Sequence, residues 1–328
     1  MKNYGEYSDL LVQRVNELYH DAVSEKYENS HPEIFKRLPP RWQRIAPQFL
    51  TTNKSLTILD LGTGTGFVPL MVAPHLKKKD KFICSDISSN ILSVAKENIQ
   101  QYHFQNKFGF VKIDAQQSYT LPFNNNSMDI VTVNSMLHHI KDTRRFLDEI
   151  DRVLKPRGLL FIAHEPHRPF HRHRFLKMQA RIWQVFLCPR QTITRIARIL
   201  NFTPVLECLY YTFLKPKVNN QEITEEINKT LLEQGLITEP IAPRDIKKIT
   251  DIQVEGFKLE SILPEYKLVL LETYNHLSDD IAKKYNNNFI LAYERFLERK
   301  FPHHGNQFFL IKQKPKKTDP EKEKKCLK

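Results

Sequence analysis

Apolar positions recur along this chain with two different periods. Between residues 8 and 30, Leu11, Val15, Leu18, Tyr19, Val23 and Tyr27 fall at helical spacing, which predicts one or two amphipathic helices. Pro32 and Pro39-Pro40 punctuate the next stretch, and residues 41–50 read as a further short helix. From Leu56 onward short apolar runs alternate with helical stretches. LTILDL reads as a first strand. GTGTGFVPLMVAPHL opens a helix in which Pro69 suits the first turn and Pro74 a kink or stop. KFICSD is a second strand, and SSNILSVAKENIQQY a helix with Ser88 or Ser89 as N-cap. FGFVKIDA, SMDIVTVNSM and GLLFIAHE are the third, fourth and fifth strands. Residues 143–154 form a charged amphipathic helix that Lys155-Pro156-Arg157-Gly158 stops. Strands alternating with helices at this length predict an α/β chain with a parallel, doubly wound sheet covered on both faces.

After Glu165 the alternation weakens. Residues 172–188 set Phe175, Leu176, Ile182, Trp183, Phe186 and Leu187 against Arg172, Arg174, Lys177 and Arg181, a basic amphipathic helix. Residues 222–234 read as another helix, RDIKKITDIQVEGFKLESILP as helix then strand around Gly256, and residues 265–300 as mostly helical. NQFFLIKQK is a last strand.

Composition narrows the class. The chain has 328 residues, 41% apolar and 27% charged, which fits a globular protein and excludes wholesale disorder or a fibrous repeat. Its net charge of +13 is concentrated. Residues 167–200 hold eight arginines and lysines and no acid, and residues 312–328 hold eight lysines against Asp319, Glu321 and Glu323. The rest of the chain is formally neutral, and residues 313–328 read as a basic disordered tail. Cys84, Cys188, Cys208 and Cys326 show no CxxC or other tight spacing, so a disulfide framework or zinc site is not expected and a reducing compartment is the simpler setting. No window reaches the roughly 18 apolar residues of a membrane span, and the N-terminus lacks a signal core, so the expected location is cytoplasmic.

The sharpest chemical signal is Asp60-Leu61-Gly62-Thr63-Gly64-Thr65-Gly66, between a strand and a helix. Glycines are needed where backbone turns with positive φ or closely approaches a ligand. Phe67 follows Gly66 where a dinucleotide fingerprint spaces its third glycine, and no GK[ST] of a phosphate loop is present, so the loop fits a ligand without a pyrophosphate. Asp86 ends the second strand 20 residues past Gly66, where a carboxylate can accept from ribose hydroxyls, and Asp114 ends the third, where one can accept from an adenine amino group. Three acids closing three successive strands place a ligand at the carboxyl edge of the sheet.

ILDLGTGTG, the SDIS and VKIDA strand ends, and VNSMLHHIKD…FLDEIDRVLKPRGLLFIAHEP resemble the class I S-adenosylmethionine-dependent methyltransferases, within them the small-molecule group that includes quinone-biosynthesis enzymes. The resemblance is strong over residues 55–166 and weak over 10–50 and 250–312. It implies a Rossmann-like seven-stranded sheet with the last strand antiparallel, and S-adenosylmethionine as cofactor. By the same resemblance Gly62, Thr63, Gly64 and Gly66 pass under the methionine and ribose, and Asp60 helps position the amino group. Asp86 holds the ribose, Ile87 packs on adenine, Asp114 and Ala115 read its edge, and Asn134 and Ser135 line the sulfonium side. Tyr19 and Tyr27 are candidates for an aromatic residue closing over the cofactor from an N-terminal helical lid, with Tyr27 the assigned one.

Methyl transfer from an activated donor asks the protein chiefly for orientation and, for a weak nucleophile, a base. His138 and His139 after the fourth strand, and Glu165 after the fifth, are the candidate catalytic residues; His164 stands beside Glu165. His164, His167, His171 and His173 lack a convincing ligand spacing, so no metal is expected. The fourth strand ends NSML rather than in an NPPY-type pattern, and no cysteine follows it, which argues against two nucleic-acid methylation chemistries. The basic helix at 172–188 is open between a peripheral membrane contact, a charged cap for an anionic substrate, an RNA phosphate contact, and plain packing with solvated arginines. The expected organisation is a lid over 1–50, a cofactor-binding core over 51–166, a basic helical cap over 167–250, the rest of the core over 251–312, then the tail. The expected function is methyl transfer to a small or amphipathic, lipid- or quinone-like acceptor, with no obligate protein partner. An RNA or protein methyltransferase and a catalytically silent S-adenosylmethionine-binding protein are the alternatives.

Overall fold

The computed structural model describes residues 7–31, 34–35, 38–50, 52–103, 108–115, 119–187, 220–253, 255–277 and 288–316. Arg190, Arg195, Arg198, three of the four cysteines and residues 317–328 of the basic tail lie outside the described residues. The chain divides into two compact units, residues 1–167, 248–272 and 307–328 in one, and residues 168–247 and 273–306 in the other.

The first unit is built on a sheet of β1 (Thr57–Leu61), β2 (Lys81–Asp86), β3 (Phe108–Lys112), β4 (Met128–Asn134), β5 (Leu154–Pro166), β6 (Lys267–Tyr274) and β7 (Gln307–Gln313). Their order is β3-β2-β1-β4-β5-β7-β6. The first five pair in parallel, and β7 runs antiparallel to β5. The strand order reverses between β1 and β4, which puts a topological switch point beside the glycine loop, where open α/β sheets bind ligands.

Strands buried on both faces explain the continuous apolar runs. Leu59, Val131, Val133, Leu160 and Ile162 have essentially no exposure and join one core with Phe146, Leu147, Ile150 and Val153 of α7 (Thr143–Val153). Successive side chains alternate faces, so Phe308 joins that core while Phe309 packs on Trp42 at 4.9 Å and Phe161 at 6.3 Å. The pattern is helical through α1 (Asp9–Val23), α2 (Tyr27–Ser30), α3 (Pro39–Ile45), α4 (Pro47–Leu50), α5 (Phe67–Val72) and α6 (Ser89–Gln101). Ser88 is the α6 cap, its Oγ accepting from the Ile91 amide at 3.1 Å. Asp142 caps α7 by accepting from the Arg145 amide at 3.1 Å.

Three local expectations differ from what forms. The Lys155–Gly158 stretch ends α7 as expected but stays within β5 as an irregularity, since Leu154 still pairs with Met128 while Leu159 pairs with Ile130. Gly158 is required there: a Cβ would lie 2.8 Å from the Lys155 carbonyl oxygen. The strand expected around Gly256 reduces to one bridge between His167 and Phe257. Conversely, KLVLLETY forms edge strand β6 rather than helix, because pairing beside β7 overrides a spacing (Leu268, Leu271, Tyr274) that also suits a helix.

The second unit has α8 (Arg168–Arg172), α9 (Arg174–Leu187), α10 (Asn220–Glu233) and α12 (Asn288–Lys300), with α11 (Pro243–Thr250) lying across the boundary between units. Phe170, Leu176, Leu277, Ile290 and Leu297 form its core. Buried Glu294 on α12 accepts from the amides of His276 at 2.5 Å and Leu277 at 3.0 Å, which fixes the segment leading out of β6. No helix among the described residues is long and apolar enough to cross a membrane.

Lys312 shows how the last strand is locked. Its buried ammonium group donates to the carbonyl oxygens of Leu259 at 3.3 Å, Leu263 at 3.2 Å, and Ile262. Lys312→Met keeps the apolar stem and strands three carbonyls. The expected loss is about 1–3 kcal/mol of unfolding free energy, read from urea denaturation; a variant as stable as wild type would show these bonds to be dispensable.

Candidate functional site

The carboxyl ends of β1, β2 and β4 meet α1 and α2 around a cavity of about 1040 Å³, its open mouth included. Its floor is the glycine loop. Gly62, Gly64 and Gly66 all have positive φ, at 67°, 57° and 98°, a conformation that side-chain-bearing residues seldom adopt. The loop is closed by Thr63 N–H donating to the Ser85 carbonyl at 2.9 Å and Gly66 N–H to the Thr63 carbonyl at 3.1 Å. At Gly64 the space above the backbone is open, since a Cβ there would find only Tyr27 Cε1, at 4.0 Å. At Gly62 a Cβ would collide with the Met136 side chain at 2.4 Å.

Three buried carboxylates organise this edge. Asp86 accepts from the Gly64 amide through Oδ2 and the Ser88 amide through Oδ1, both at 3.0 Å, and so couples the end of β2 to the loop. Burial raises its pKa to about 6, against the pull of amides at Ser88, Gly64 and Ile87. Asp60 accepts from Thr132 Oγ1 at 2.5 Å through Oδ1, while Oδ2 is buried with no hydrogen-bond partner. Burial pushes its pKa to about 7. Glu165, wholly buried, receives the amides of Met136 and Leu137 at 2.6 Å through Oε1, and through Oε2 the His138 amide at 3.1 Å and the His138 Nδ1 at 2.8 Å.

Of the sequence-derived candidates, Tyr27, Gly62, Thr63, Gly64, Asp86, Ile87, Asn134, Ser135 and His139 line the cavity together. Asp60, Gly66, Asp114, Ala115, His138 and Glu165 are not among its lining residues. Asp114 is exposed two residues past the end of β3, and buried Ile113 lines the cavity from that strand end instead. Tyr27 stacks on His31 with centroids 4.4 Å apart, and Asn134 accepts from the Trp42 indole N–H at 3.3 Å.

His139 Nδ1 lies 2.5 Å from the Thr250 carbonyl oxygen. A carbonyl only accepts, so Nδ1 carries the proton and Nε2 keeps its lone pair. Burial, and then His138 and His20, hold its pKa well below the usual imidazole value, so the ring is neutral.

A polar stripe on α1 was not anticipated from the sequence. Gln13, Asn16 and His20 recur at i, i+3 and i+7, lie on one helix face, and all line the cavity. Gln13 Nε2, Asn16 Oδ1 and His20 Nδ1 are each buried without a hydrogen-bond partner. Asn16 Nδ2 donates to the Val12 carbonyl at 2.9 Å, which orients Oδ1. Burial lowers the His20 pKa to about 4, with His31 and His138 adding to the effect, and the ring stands edge-on to His139 at 5.3 Å. The available signal was polar residues at helical spacing inside an otherwise apolar face. The helix is held in place by Asp21, which accepts from Ser88 Oγ at 2.5 Å and the Asn90 amide at 3.2 Å, and by Glu17, 2.8 Å from Lys112 Nζ. The remaining walls are apolar, among them Ile34, Phe35, Phe67, Tyr119, Leu121 and Phe146.

Residues 59–162 match the family model of the methyltransferase domain. A demethylmenaquinone methyltransferase of Listeria welshimeri is 28% identical over 43% of this chain and 58% of its own length. One from Symbiobacterium thermophilum is 26% identical over 69% of this chain and 85% of its own. A 2-phytyl-1,4-naphtoquinone methyltransferase of Nostoc punctiforme is 32% identical over 39% and 55%. The chain thus spans a little over half the length of the first relatives it matches.

Asp60 titrates in the folded chain near 7, against an ordinary value of 3.8. Across that window the folded state holds a proton that the unfolded state has released, so Asp60 costs stability progressively as pH rises from about 4 to about 7. Asp60→Asn removes the dependence. Urea denaturation at several pH values is expected to show the variant gaining on wild type across the window; a pH-independent difference would contradict the assignment.

Proposed function

We propose, from the match of residues 59–162 to the methyltransferase-domain family model, that this chain is a class I S-adenosylmethionine-dependent methyltransferase and that it methylates a small or amphipathic, lipid- or quinone-like acceptor. The observation that carries this reading is one cavity in which a glycine loop and a buried strand-end carboxylate face apolar walls and a neutral imidazole. When bound, S-adenosylmethionine supplies an activated methyl group on a cationic sulfur. The residues present fit it: the backbone above Gly64 is open, the Asp86 carboxylate lines the cavity, and at the end of β1 Asp60 keeps one buried oxygen, Oδ2, without a hydrogen-bond partner. Gly62, Thr63, Gly64 and Gly66 would hold the methionine and ribose portions and Asp86 the ribose hydroxyls. Ile87, Ile91 and Ile113 would flank the adenine beside Asp114 and Ala115, with Asn134 and Ser135 toward the sulfur and Tyr27 as a cover.

His139 is the base in this reading. Its Nε2 lone pair takes the proton that the acceptor loses. His138 and Glu165 act as positioning residues, because the Glu165 carboxylate holds three successive amides of the loop that carries His139. Gln13, Asn16 and His20 present a donor, an acceptor and an imidazole to the polar edge of the acceptor, while the apolar walls exclude water. The quinone-methylating activities named for the relatives from Symbiobacterium and Nostoc support an acceptor of this class.

Incubation of the protein and methyl-labelled S-adenosylmethionine with fractionated cell extract tests the acceptor. Label is expected in the lipid-soluble small-molecule pool; label in RNA or protein, or in no pool, overturns that class. Equilibrium binding tests the cofactor separately: Asp86→Ala is expected to lose at least about tenfold in affinity, and equal affinity refutes the assignment.

His139→Gln is expected to lower kcat by about 10²–10⁴ with binding of S-adenosylmethionine unchanged. Retention of kcat would remove the residue from proton transfer.

A further inference from the structure

In the second unit, helices α9 and α12 carry the same surface design. On α9, Phe175, Met178 and Ile182 recur at i, i+3 and i+7 and are 40%, 50% and 42% exposed. The stripe is separate from the buried face of the helix, which inserts Leu176 into the core with Ala180 and Trp183 against it. Arg174, Lys177 and Arg181 repeat the same spacing one residue earlier, so an exposed basic stripe runs alongside the apolar one. On α12, Phe289 and Phe296 are seven residues apart and 67% and 47% exposed, with exposed Arg295 and Arg299 beside them.

The two helices are joined through aromatic side chains. Trp183 lies 6.2 Å from Phe289 and 5.8 Å from Tyr293, and the Tyr293 hydroxyl donates to Gln179 Oε1 at 2.7 Å. Tyr293 in turn lies 6.0 Å from Phe296, over which Lys300 Nζ stands 5.8 Å from the ring centroid. The acids on α12 do not offset the charge at the surface: Glu294 is buried on the amides of His276 and Leu277, and Glu298 is half-buried. Every exposed charge on the described residues of α9 and α12 is therefore positive.

We infer that this face of the second unit docks on an anionic lipid surface, Phe289, Phe296 and the α9 apolar stripe entering the headgroup boundary while the arginines and lysines bind lipid phosphates. A protein partner would need acids placed against the arginines. A bilayer supplies negative charge and apolar depth together, and tolerates arginines rimming protruding phenylalanines. The attachment is reversible and interfacial, and it holds whether or not the first unit transfers methyl groups.

Co-sedimentation of the full chain with vesicles tests it. Binding is expected to vesicles of phosphatidylcholine with about one-third phosphatidylglycerol and to fall at least about tenfold on phosphatidylcholine alone. Binding to neither, or equally to both, overturns the inference without recourse to any variant. Arg174→Glu with Arg181→Glu, and separately Phe289→Ser with Phe296→Ser, alter exposed positions. Each pair is expected to weaken binding at least about tenfold, with S-adenosylmethionine binding as the check on folding. Wild-type binding by both pairs overturns the assignment of this face. Light scattering that shows a dimer, broken by the Phe289→Ser, Phe296→Ser pair, overturns it in favour of an interface between two copies.

Discussion

The carboxyl edge of a parallel sheet leaves backbone amides pointing away from the last hydrogen-bonded rung, and burying them without acceptors is costly. Here buried carboxylates serve as those acceptors. Asp86 takes the Gly64 and Ser88 amides, and Glu165 takes those of Met136, Leu137 and His138. Both loops that floor and flank the cavity are thus fixed from beneath by charge-assisted bonds. The first adds to the Thr63–Ser85 bond that ties the glycine loop to β2; the second holds the loop that carries His139, whose ring also meets the Thr250 carbonyl. The open space over Gly64 exists because these bonds hold the backbone in conformations that glycine alone can adopt at low cost.

That arrangement sets the electrostatics. Desolvation raises the Asp60 and Asp86 carboxyls to about 7 and about 6 and lowers His20 to about 4. His20 and His139 lose proton affinity for a shared reason, burial first and then mutual repulsion within the cluster that includes His138. Imidazoles that remain neutral near pH 7 can accept a proton, and carboxyls near their midpoint respond strongly to an arriving positive charge.

Much of this was legible in the sequence. Alternating strand and helix patterns located the first five strands, and NQFFLIKQK was recognisable as a last strand by its unbroken apolar run, while its antiparallel direction followed only from the family resemblance. The glycine loop and Asp86 were visible because few residues can do what they do. Asp114 was harder to place: a strand-end acid follows from pattern, but whether it faces a cavity depends on where β3 stops, and it stops at Lys112. KLVLLETY was ambiguous because an edge strand needs only one partner and carries little periodicity of its own. The α1 polar stripe was hidden because Gln13, Asn16 and His20 are polar residues on a helix, and their burial comes from what the helix packs against.

Charge placement constrains which acceptor such a cavity suits. Among the described residues, no lysine or arginine lines the cavity. The described ionisable lining groups are Asp86, the two neutral imidazoles and two tyrosines. An anionic acceptor would meet the Asp86 carboxylate and walls of Ile, Leu and Phe that do not offset its desolvation. A cationic donor meets the opposite situation, with Asp86 and the raised Asp60 both stabilised by its arrival. In the proposed reading, Gln13, Asn16 and His20 meet the polar edge of the acceptor and the apolar walls its remainder. The arginines of α9 and α12 serve a different role, since exposed guanidinium groups flanking protruding phenylalanines match a charged interface rather than a closed pocket.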